Sequence, residues 1–131
     1  MAGSLSDYSE NKVLELLVGK TAFATPTAWL ALFTVAPTDA GGGTEATGGS
    51  YAREQTAGAD WAAAASGAIT NANAIAFPTA TANWGTVVAA ALFDAATAGN
   101  MLIWGDLTVS KAVNTDDTLS FPAGAIDFTL D

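Results

Sequence analysis

The sequence of 131 residues contains no cysteine and no histidine. Without cysteine the chain can form neither a disulfide nor a thiolate metal site, and it has no thiol nucleophile. Without histidine it lacks the usual general base and the commonest ligand of transition metals. No dinucleotide-binding glycine motif, Walker loop or G-x-S-x-G nucleophile motif occurs either. The sequence therefore predicts a protein that is not an enzyme and that holds no cofactor.

Charge is also scarce, since only 13% of the residues are charged, against about 25% in an ordinary soluble domain. Four basic residues oppose 13 acidic ones, for a formal net charge of −9. No lysine or arginine cluster is present to neutralise phosphates, so nucleic acid and anionic membranes are poor candidate partners. A surface covered by threonine, serine, asparagine, glycine and alanine favours a β protein that assembles with others.

Targeting signals are missing as well. The N-terminal "MAGSLSDYSENK" has neither the basic region nor the apolar region of a signal peptide. No apolar run approaches the roughly 18 to 20 residues of a membrane span. We therefore expect a chain that is made inside the cell and that does not use a membrane as its partner.

The segment "SLSDYSENKVLELLVG" has the first helical periodicity, with apolar residues recurring at spacings of three and four. It predicts a helix over about residues 5–18. Ser4 with Asp7 three positions later, or alternatively Ser6, is expected to cap the N-terminus of this helix. The helix could pack on the core of its own chain or on a neighbouring subunit, and both alternatives stay open.

After residue 27 the pattern changes to that of β-strands. The strongest segments are "AWLALFTV", "WGTVVAAALFD" and "NMLIWGDLTV", and the short linker "AATAG" predicts a hairpin between the last two. Weaker strands are expected at "SYAREQT", "AIAFP", "TLSFP" and "AIDFTLD". We predict a mainly β protein: an antiparallel β-sandwich or jelly-roll-like domain over about residues 27–131, forming with the helix a single domain over residues 1–131.

The glycine-rich segment "DAGGGTEATGGS" lies between two expected strands, where it could either cradle a ligand or meet another protein. A phosphate cradle needs amides at a helix N-terminus and a cation, and this segment has neither. We interpret it as an adaptable arm that becomes ordered against a partner. Candidate interface residues come from this arm, the helix and nearby aromatic positions: Leu5, Tyr8, Leu16, Gly41, Gly42, Gly43, Glu45, Tyr51, Arg53 and Trp61.

Paired carboxylates can support hydrolysis, and Asp94 and Asp106 flank the predicted hairpin closely enough to be considered. Aspartate beside glycine, alanine or threonine more commonly forms turns, and this is the interpretation that we prefer. The "NTDD" segment at 114–117 offers oxygen ligands for a hard cation but lacks the spaced acidic ladder of a calcium loop. No metal site is predicted. The tryptophans are expected in the core or at its rim, except Trp61.

Several long segments resemble a family of small virion proteins of tailed bacteriophages. They are "SLSDYSENKVLELLVGKTAF", "LALFTVAPTDAGGGTEATGGSYARE", "AIAFPTATANWGTVVAAALFDAATAGNMLIWGDL" and "DTLSFPAGAIDFTLD", which together cover nearly the whole chain. Members of the family are commonly labelled tail fibre proteins, and similar small β proteins decorate phage heads as cement. The resemblance implies a structural role without catalysis, and it carries no catalytic or cofactor residues to this chain.

Our leading hypothesis from the sequence is a capsid decoration protein that clamps adjacent major capsid subunits on the outside of a phage head. It would be made in the host cytoplasm and end on the particle surface. It would also contact copies of itself, as a trimer by analogy with head cement and fibres. The alternative is a tail or tail-fibre-associated module that contacts a host glycan. A small hydrolase with paired aspartates is a third, minor hypothesis.

Overall fold

A computed structural model describes residues 2–130 of the chain. Within this range the chain is mainly β, with antiparallel pairing and one α-helix near the N-terminus, as the sequence predicts. A short 3-10 turn follows the fourth strand. The elements in chain order are β1 (Ala2–Leu5), α1 (Asp7–Leu17), β2 (Ala28–Val35), β3 (Thr44–Glu45), β4 (Glu54–Thr56), the 3-10 turn (Gly58–Asp60), β5 (Ala68–Thr70), β6 (Ile75–Ala76), β7 (Gly85–Phe93), β8 (Met101–Val113), β9 (Ser120–Phe121) and β10 (Asp127–Thr129).

The main sheet has six strands. Five of them follow the order β1-β8-β7-β2-β3, and the sixth, β4, pairs with the first three residues of β2 on the same edge as β3. Strands β7 and β8 form the predicted hairpin, in which Phe93 lies opposite Met101. Beyond the middle of this hairpin the register shifts, because residues 107–110 of β8 form a bulge opposite Val88. Two small two-stranded sheets, β5 with β10 and β6 with β9, complete the fold. The arrangement is sandwich-like.

One face of the main sheet packs on the small sheets and their loops to form the larger hydrophobic core. Leu30, Leu32 and Val87 on this face have no exposed surface. Apolar residues from the second layer pack against them: Ile75, Phe77, Leu119, Phe121, Ile126 and Phe128. Burial of this apolar surface is the main stabilising contribution to the fold.

The opposite face of the main sheet is built largely from alanine. Ala31, Ala89 and Ala91 are completely buried, and the parallel rings of Phe33 and Phe93 stack with centroids 6.2 Å apart. The central strands β2 and β7 are thus apolar on both faces, as expected for strands that are buried on both faces of the sheet. Phe33, Phe93 and Met101 on this side line a groove together with the glycine-rich stretch and the start of α1.

The N-terminus differs from the sequence prediction in one respect. The first residues form strand β1, whose Leu5 lies opposite Ile103 of β8, so the helix begins at Asp7 instead of near residue 5. Ser6, the alternative cap, is the actual one, because its Oγ accepts a hydrogen bond from the Ser9 N–H at 3.2 Å. Periodicity analysis misses β1 because its four residues are too few to show an alternation.

The strand expected at "SYAREQT" is shorter than predicted, and only Glu54–Thr56 pairs with β2. The alanine run at 62–65 lies outside the helix and strands, between the 3-10 turn and β5. The expected closing strand at residues 125–131 is limited to Asp127–Thr129 within the described residues. Short pairings such as these depend on tertiary contacts more than on local propensity.

Candidate functional site

The glycine-rich segment is held tightly at several points in spite of its composition. Thr38 and Gly41 exchange two backbone hydrogen bonds of 2.8 and 2.9 Å, which close a tight turn directly after β2. Gly43 has a φ of +73°, and a Cβ placed there would lie 2.6 Å from the Val35 carbonyl oxygen, so only glycine fits. Further along, Ala46 is buried in the main core. The segment is therefore part of the folded domain.

Tyr51, Glu45 and Arg53 form a polar cluster at the end of this segment. The Leu32 N–H donates to the Tyr51 hydroxyl at 3.0 Å, and the hydroxyl donates to Glu45 Oε2 at 2.8 Å. Arg53 forms a two-point ion pair with the same carboxylate, at 2.9 Å from Nε and 2.8 Å from Nη2. Burial raises the pKa of Tyr51 well above its usual value, so the hydroxyl is protonated and available as a donor.

The Arg53 side chain also reaches the hairpin loop between β7 and β8. Its Nη1 donates to the carbonyl oxygens of Ala95 and Ala98 at 2.9 and 2.8 Å. The guanidinium lies over the Phe93 ring, 3.8 Å from its centroid. With only 7% of its side chain exposed, Arg53 ties the glycine-rich segment to the hairpin loop. We call Glu45, Tyr51 and Arg53 the arginine cluster.

A groove of about 520 Å³ lies beside this cluster, between the tight turn, the start of α1 and the hairpin loop. Six of the ten interface candidates from the sequence line it together: Tyr8, Gly41, Gly42, Gly43, Glu45 and Arg53. Tyr51 lies on the far side of Glu45, in a neighbouring depression. The structure thus brings most of the candidates to one place, while internal hydrogen bonds already use the polar groups of Arg53 and Tyr51. Contact of this groove with another molecule stays a prediction.

The N-terminal elements are anchored to the same region through Asp39, which sequence reasoning missed. The carboxylate of Asp39 accepts hydrogen bonds from the Ser4 hydroxyl and from Trp104 Nε1, the latter at 2.9 Å. Both hydrogen bonds lower the pKa of Asp39, and the bond from Ser4 has the larger effect. Its backbone carbonyl also accepts from the Asp7 N–H at 2.8 Å. No local pattern in "PTDAG" indicates these partners, which are distant in the sequence.

Polar contacts also hold helix α1 on the domain. The Ser6 hydroxyl donates to the carbonyl of Met101, and the Ser6 N–H donates to the Leu102 carbonyl at 3.1 Å. Ser9 is the one buried residue of the helix, and its Oγ has no hydrogen-bond partner within residues 2–130. The inward face of α1 is therefore polar at its most buried point.

Apolar residues at the end of α1 point away from the core, whereas Tyr8 and Val13 are half-buried. Leu14, Leu17 and Val18 are 61%, 75% and 78% exposed, and Leu16 is 47% exposed. Leu14, Leu17 and Val18 lie within about 100° of one another around the helix axis, whereas Leu16 lies on the opposite side, near Ser9. We call Leu14, Leu17 and Val18 the leucine stripe. A surface helix ordinarily buries its apolar stripe, whereas α1 leaves this one exposed. Exposed apolar patches commonly mark interaction sites on folded proteins. Contact of this stripe with another molecule stays a prediction.

The remaining interface candidates lie elsewhere. Leu5 is half-buried in β1. Trp61 packs on Phe128 at 6.1 Å between ring centroids, and its Nε1 donates to Thr56 Oγ1 at 3.1 Å. Trp84 is buried and the other three tryptophans are half-buried, so no row of exposed tryptophans exists for a sugar to stack on.

The two carboxylates considered for hydrolysis do not meet. Asp94 caps the hairpin loop by accepting from the Asn100 N–H at 2.7 Å, which is the turn-forming role that we preferred. Asp106 lies opposite Ala89, well down the hairpin and roughly 15 Å from Asp94 at the usual rise of a strand. The expectation that they could approach each other is wrong, because the hairpin closes at Asp94. Residues 2–130 contain no group of three or more acidic side chains that could hold a metal ion.

A family model described as "Podophage GP4 fiber I protein gp80" matches residues 4–129, which is nearly the whole chain. The chain belongs to this family. No match was found among curated proteins. The family confirms the resemblance to small structural proteins of phage virions that the sequence motifs indicated.

The family description names a fibre protein, so the chain is a structural component of a phage virion. This agrees with the alternative hypothesis from the sequence, the fibre-associated module, and does not mention a capsid. Within residues 2–130 there is also no helix of the length and hydrophobicity that crossing a membrane requires.

Proposed function

We propose that the chain is a fibre subunit at the surface of a phage particle, and that it acts only through contacts with other proteins. The leucine stripe of α1 is the observation that carries this proposal. Nothing in the described part of the chain covers it, although each fully buried leucine or valine contributes about 1.5 to 3 kcal/mol. An assembly partner that covers the stripe recovers this free energy, and no bond need be made or broken.

The surface charge is consistent with such a role. The chain has a net charge of −9 and only four basic residues, and one of these, Arg53, is committed to the arginine cluster. Protein partners and further copies of the chain are therefore expected, and nucleic acid is not. In a particle with many copies, weak individual contacts add up through multivalency, so a modest stripe suffices for firm attachment.

Capsid decoration is the second candidate. It is favoured by the sandwich-like shape of the described residues, whose strand pairings show no repeat along an axis such as a fibre shaft needs. A subunit of this kind could bridge major capsid proteins as a trimer, through the groove beside the arginine cluster and through the leucine stripe. Its contacts would then raise the stability of the assembled shell by mass action.

The copy number in purified virions separates the two candidates. A fibre subunit should be present in a few to some tens of copies per particle, and a decoration protein in hundreds. Quantitative mass spectrometry of intact particles measures this ratio, and gold-labelled antibody locates the chain on the head or the tail. Absence of the chain from purified particles would overturn both candidates.

A pair of matched variants tests the role of the stripe. Val18→Gln alters the leucine stripe, whereas Val109→Gln alters the bulge of β8, and both valines are 78% exposed. We expect Val18→Gln to lower the amount of the chain on virions and Val109→Gln to leave it unchanged. Equal incorporation of the two variants would show that the stripe is not the attachment surface.

The absence of catalysis is tested separately. Asp94→Asn and Asp106→Asn remove the two carboxylates that a hydrolase would have used. Particles that carry either variant should adsorb and infect like the wild type. Loss of infectivity with normal incorporation would favour a chemical role for these side chains instead.

A further inference from the structure

We propose that the uncovered edge of β8 at residues 108–112 is a strand-addition site. Its occupant is an extended segment of a different virion protein, one that carries an acidic side chain next to Lys111. The inference rests on the proposed function only in taking the partner to be a component of the same particle. Three observations carry it: main-chain groups without a partner at this edge, a groove beside the edge, and the charge in that groove.

One edge of β8 is covered along only part of its length. Strand β1 pairs with residues 103–106, and no strand within residues 2–130 pairs with residues 107–113 on that side. Residues 108–112 are all exposed, and outside the ladder with β7 they make no backbone hydrogen bond to the described part of the chain. Such an edge presents N–H and C=O groups that an added strand can pair with.

The ladder with β7 shows which main-chain groups face the uncovered edge. The Val113 carbonyl accepts a hydrogen bond from the Trp84 N–H at 2.9 Å, so the polar backbone groups of Val113 face β7. Neighbouring residues of a strand turn these groups to opposite sides, so those of Ala112 face the uncovered edge. Ala112 therefore offers an added strand one donor and one acceptor.

A groove of about 480 Å³ lies beside this edge, between β8 and the segment around β9. Leu119 and Phe121 of the main core line it, together with the exposed Ser120. Among the described strands β9 pairs with β6 alone. Alternate side chains of a peptide that lies along β8 would enter this groove, so main-chain bonds would supply affinity and the groove would supply specificity.

The charge in this groove is opposite in sign to that of the whole chain. Lys111 is the one charged residue of its lining, and it forms no ion pair within residues 2–130. The grooves beside the arginine cluster and beside α1 contain acidic residues instead, in a chain with a net charge of −9. An acidic side chain in the added strand would complement Lys111.

The same features disfavour a second copy of this chain at the edge. Residues 108–112 contain no acidic side chain, so two copies that paired through them would leave both Lys111 side chains without a counter-charge. Residues 107–110 also form the bulge opposite Val88. Lysines and bulges are features by which edge strands avoid pairing with identical copies. The expected occupant is therefore a different polypeptide.

Photo-crosslinking in intact virions tests the contact. Benzoylphenylalanine takes the place of Thr108, which lines the groove, and the irradiated particles are analysed by mass spectrometry. We expect a cross-link to a segment of another virion protein that contains aspartate or glutamate. A cross-link to another copy of this chain, a cross-link to a segment without an acidic residue, or no cross-link in particles that contain the chain would overturn the inference.

Two substitutions of Ala112 test the main-chain contact in chains that carry the cross-linker. Ala112→Pro removes the outward N–H and is compatible with an edge strand, whereas Ala112→Thr keeps the N–H. We expect Ala112→Pro to lower the yield of cross-link per incorporated chain by about fivefold, the effect of one hydrogen bond, and Ala112→Thr to leave it unchanged. Urea unfolding checks that both variants are folded. Equal yields from two folded variants would overturn the inference.

Charge reversal tests the groove without changing the backbone. Lys111→Glu and Lys20→Glu alter two exposed lysines and change the net charge equally, but only Lys111 lines the groove. We expect Lys111→Glu to lower the yield per incorporated chain by about two- to fivefold and Lys20→Glu to leave it unchanged. Val109→Gln keeps every main-chain group of the edge, so its yield should match the wild type. Equal yields for the two lysine variants would overturn the inference.

Failure of this inference is distinct from failure of the proposed function. A chain that is present in virions but does not cross-link through β8 would still be a virion subunit, attached through another surface. Absence of the chain from purified particles would overturn both the proposed function and this inference.

Discussion

The glycine-rich segment is packed within its own chain, whereas helix α1 leaves apolar side chains uncovered by residues 2–130. The segment has the composition of a mobile arm, yet Gly43 fits closely against β2 and the arginine cluster fixes its end. The helix has an apolar face that could pack on its own core or on a neighbouring subunit, and in the structure Leu14 and Leu17 face outward while Ser9 faces inward. Composition describes what a segment could do, whereas long-range contacts decide what it does.

The difference also indicates where the molecule is rigid and where it interacts. The groove beside the arginine cluster has polar groups that are already paired within the chain. The leucine stripe has apolar surface with no counterpart in residues 2–130. Substitutions in the first region should therefore change the free energy of unfolding, and substitutions in the second should change assembly.

Arg53→Ala should have the largest effect. It removes the ion pair with Glu45 and two hydrogen bonds to the hairpin loop, and it leaves a poorly solvated carboxylate without its partner. We expect a loss of about 3 kcal/mol in the free energy of unfolding, measured by urea denaturation. Lys20→Ala is the control, because its pair with Glu15 is exposed and loose, and it should cost less than about 0.5 kcal/mol. Equal costs would show that the arginine cluster is not a structural anchor.

Gly43→Ala and Gly42→Ala test whether the glycine-rich segment is tightly packed or free. Both glycines have positive φ, so each substitution costs about 1 kcal/mol in backbone strain. At Gly43 the new Cβ would also overlap the backbone of Val35 and Pro37, whereas at Gly42 nothing lies within 4 Å. We expect Gly43→Ala to cost about 2 kcal/mol more than Gly42→Ala in thermal or urea unfolding. The same cost at both positions would mean that the segment behaves as a mobile arm.

Tyr51→Phe should change both the stability and its dependence on pH. Loss of the hydroxyl leaves the Leu32 N–H without its acceptor, at a cost of about 1 to 2 kcal/mol near neutral pH. Burial raises the pKa of Tyr51 in the folded state, so the contribution of its protonated hydroxyl is complete below about pH 10 and is lost as the pH rises further. Urea unfolding at a series of alkaline pH values should therefore show a steeper loss for the wild type than for Tyr51→Phe. Parallel curves would contradict this assignment.

Leu17→Gln should have the smallest effect on the stability of the isolated chain. Leu17 is 75% exposed, so its replacement should change the free energy of unfolding by less than about 0.5 kcal/mol when measured at a concentration where the chain is monomeric. Leu30→Ala provides the contrast, since Leu30 is fully buried and should cost about 3 kcal/mol. A large loss for Leu17→Gln in the monomer would show that the stripe packs within its own chain.

Local signals in the sequence were sufficient for several elements. The apolar segments that became β2, β7 and β8, and the short linker between the last two, predicted a central hairpin that the structure contains. Such segments are identifiable because a strand covered on both sides needs a continuous apolar run. The turn-forming role of Asp94 followed from its neighbours in the same way.

The candidate site was only partly accessible from the sequence. Glycine and aromatic content indicated Tyr8, Gly41 and Arg53 as candidates, and the structure places all three on one groove. Composition did not indicate that Arg53 would pair with Glu45 and lie on Phe93, or that Asp39 would bind Trp104. These partners are separated by up to 65 positions, and no local pattern relates them.

The sequence by itself determined the class of the protein: a β domain with a terminal helix, few charges, no cysteine or histidine, and motifs of a phage virion family. Composition and short-range periodicity are enough for such conclusions, because they depend on residues that are neighbours in the chain. Only the tertiary structure decided which way α1 faces and what holds the glycine-rich segment. Those outcomes depend on distant residues, and the free energy of their contacts is gained only when the whole chain folds.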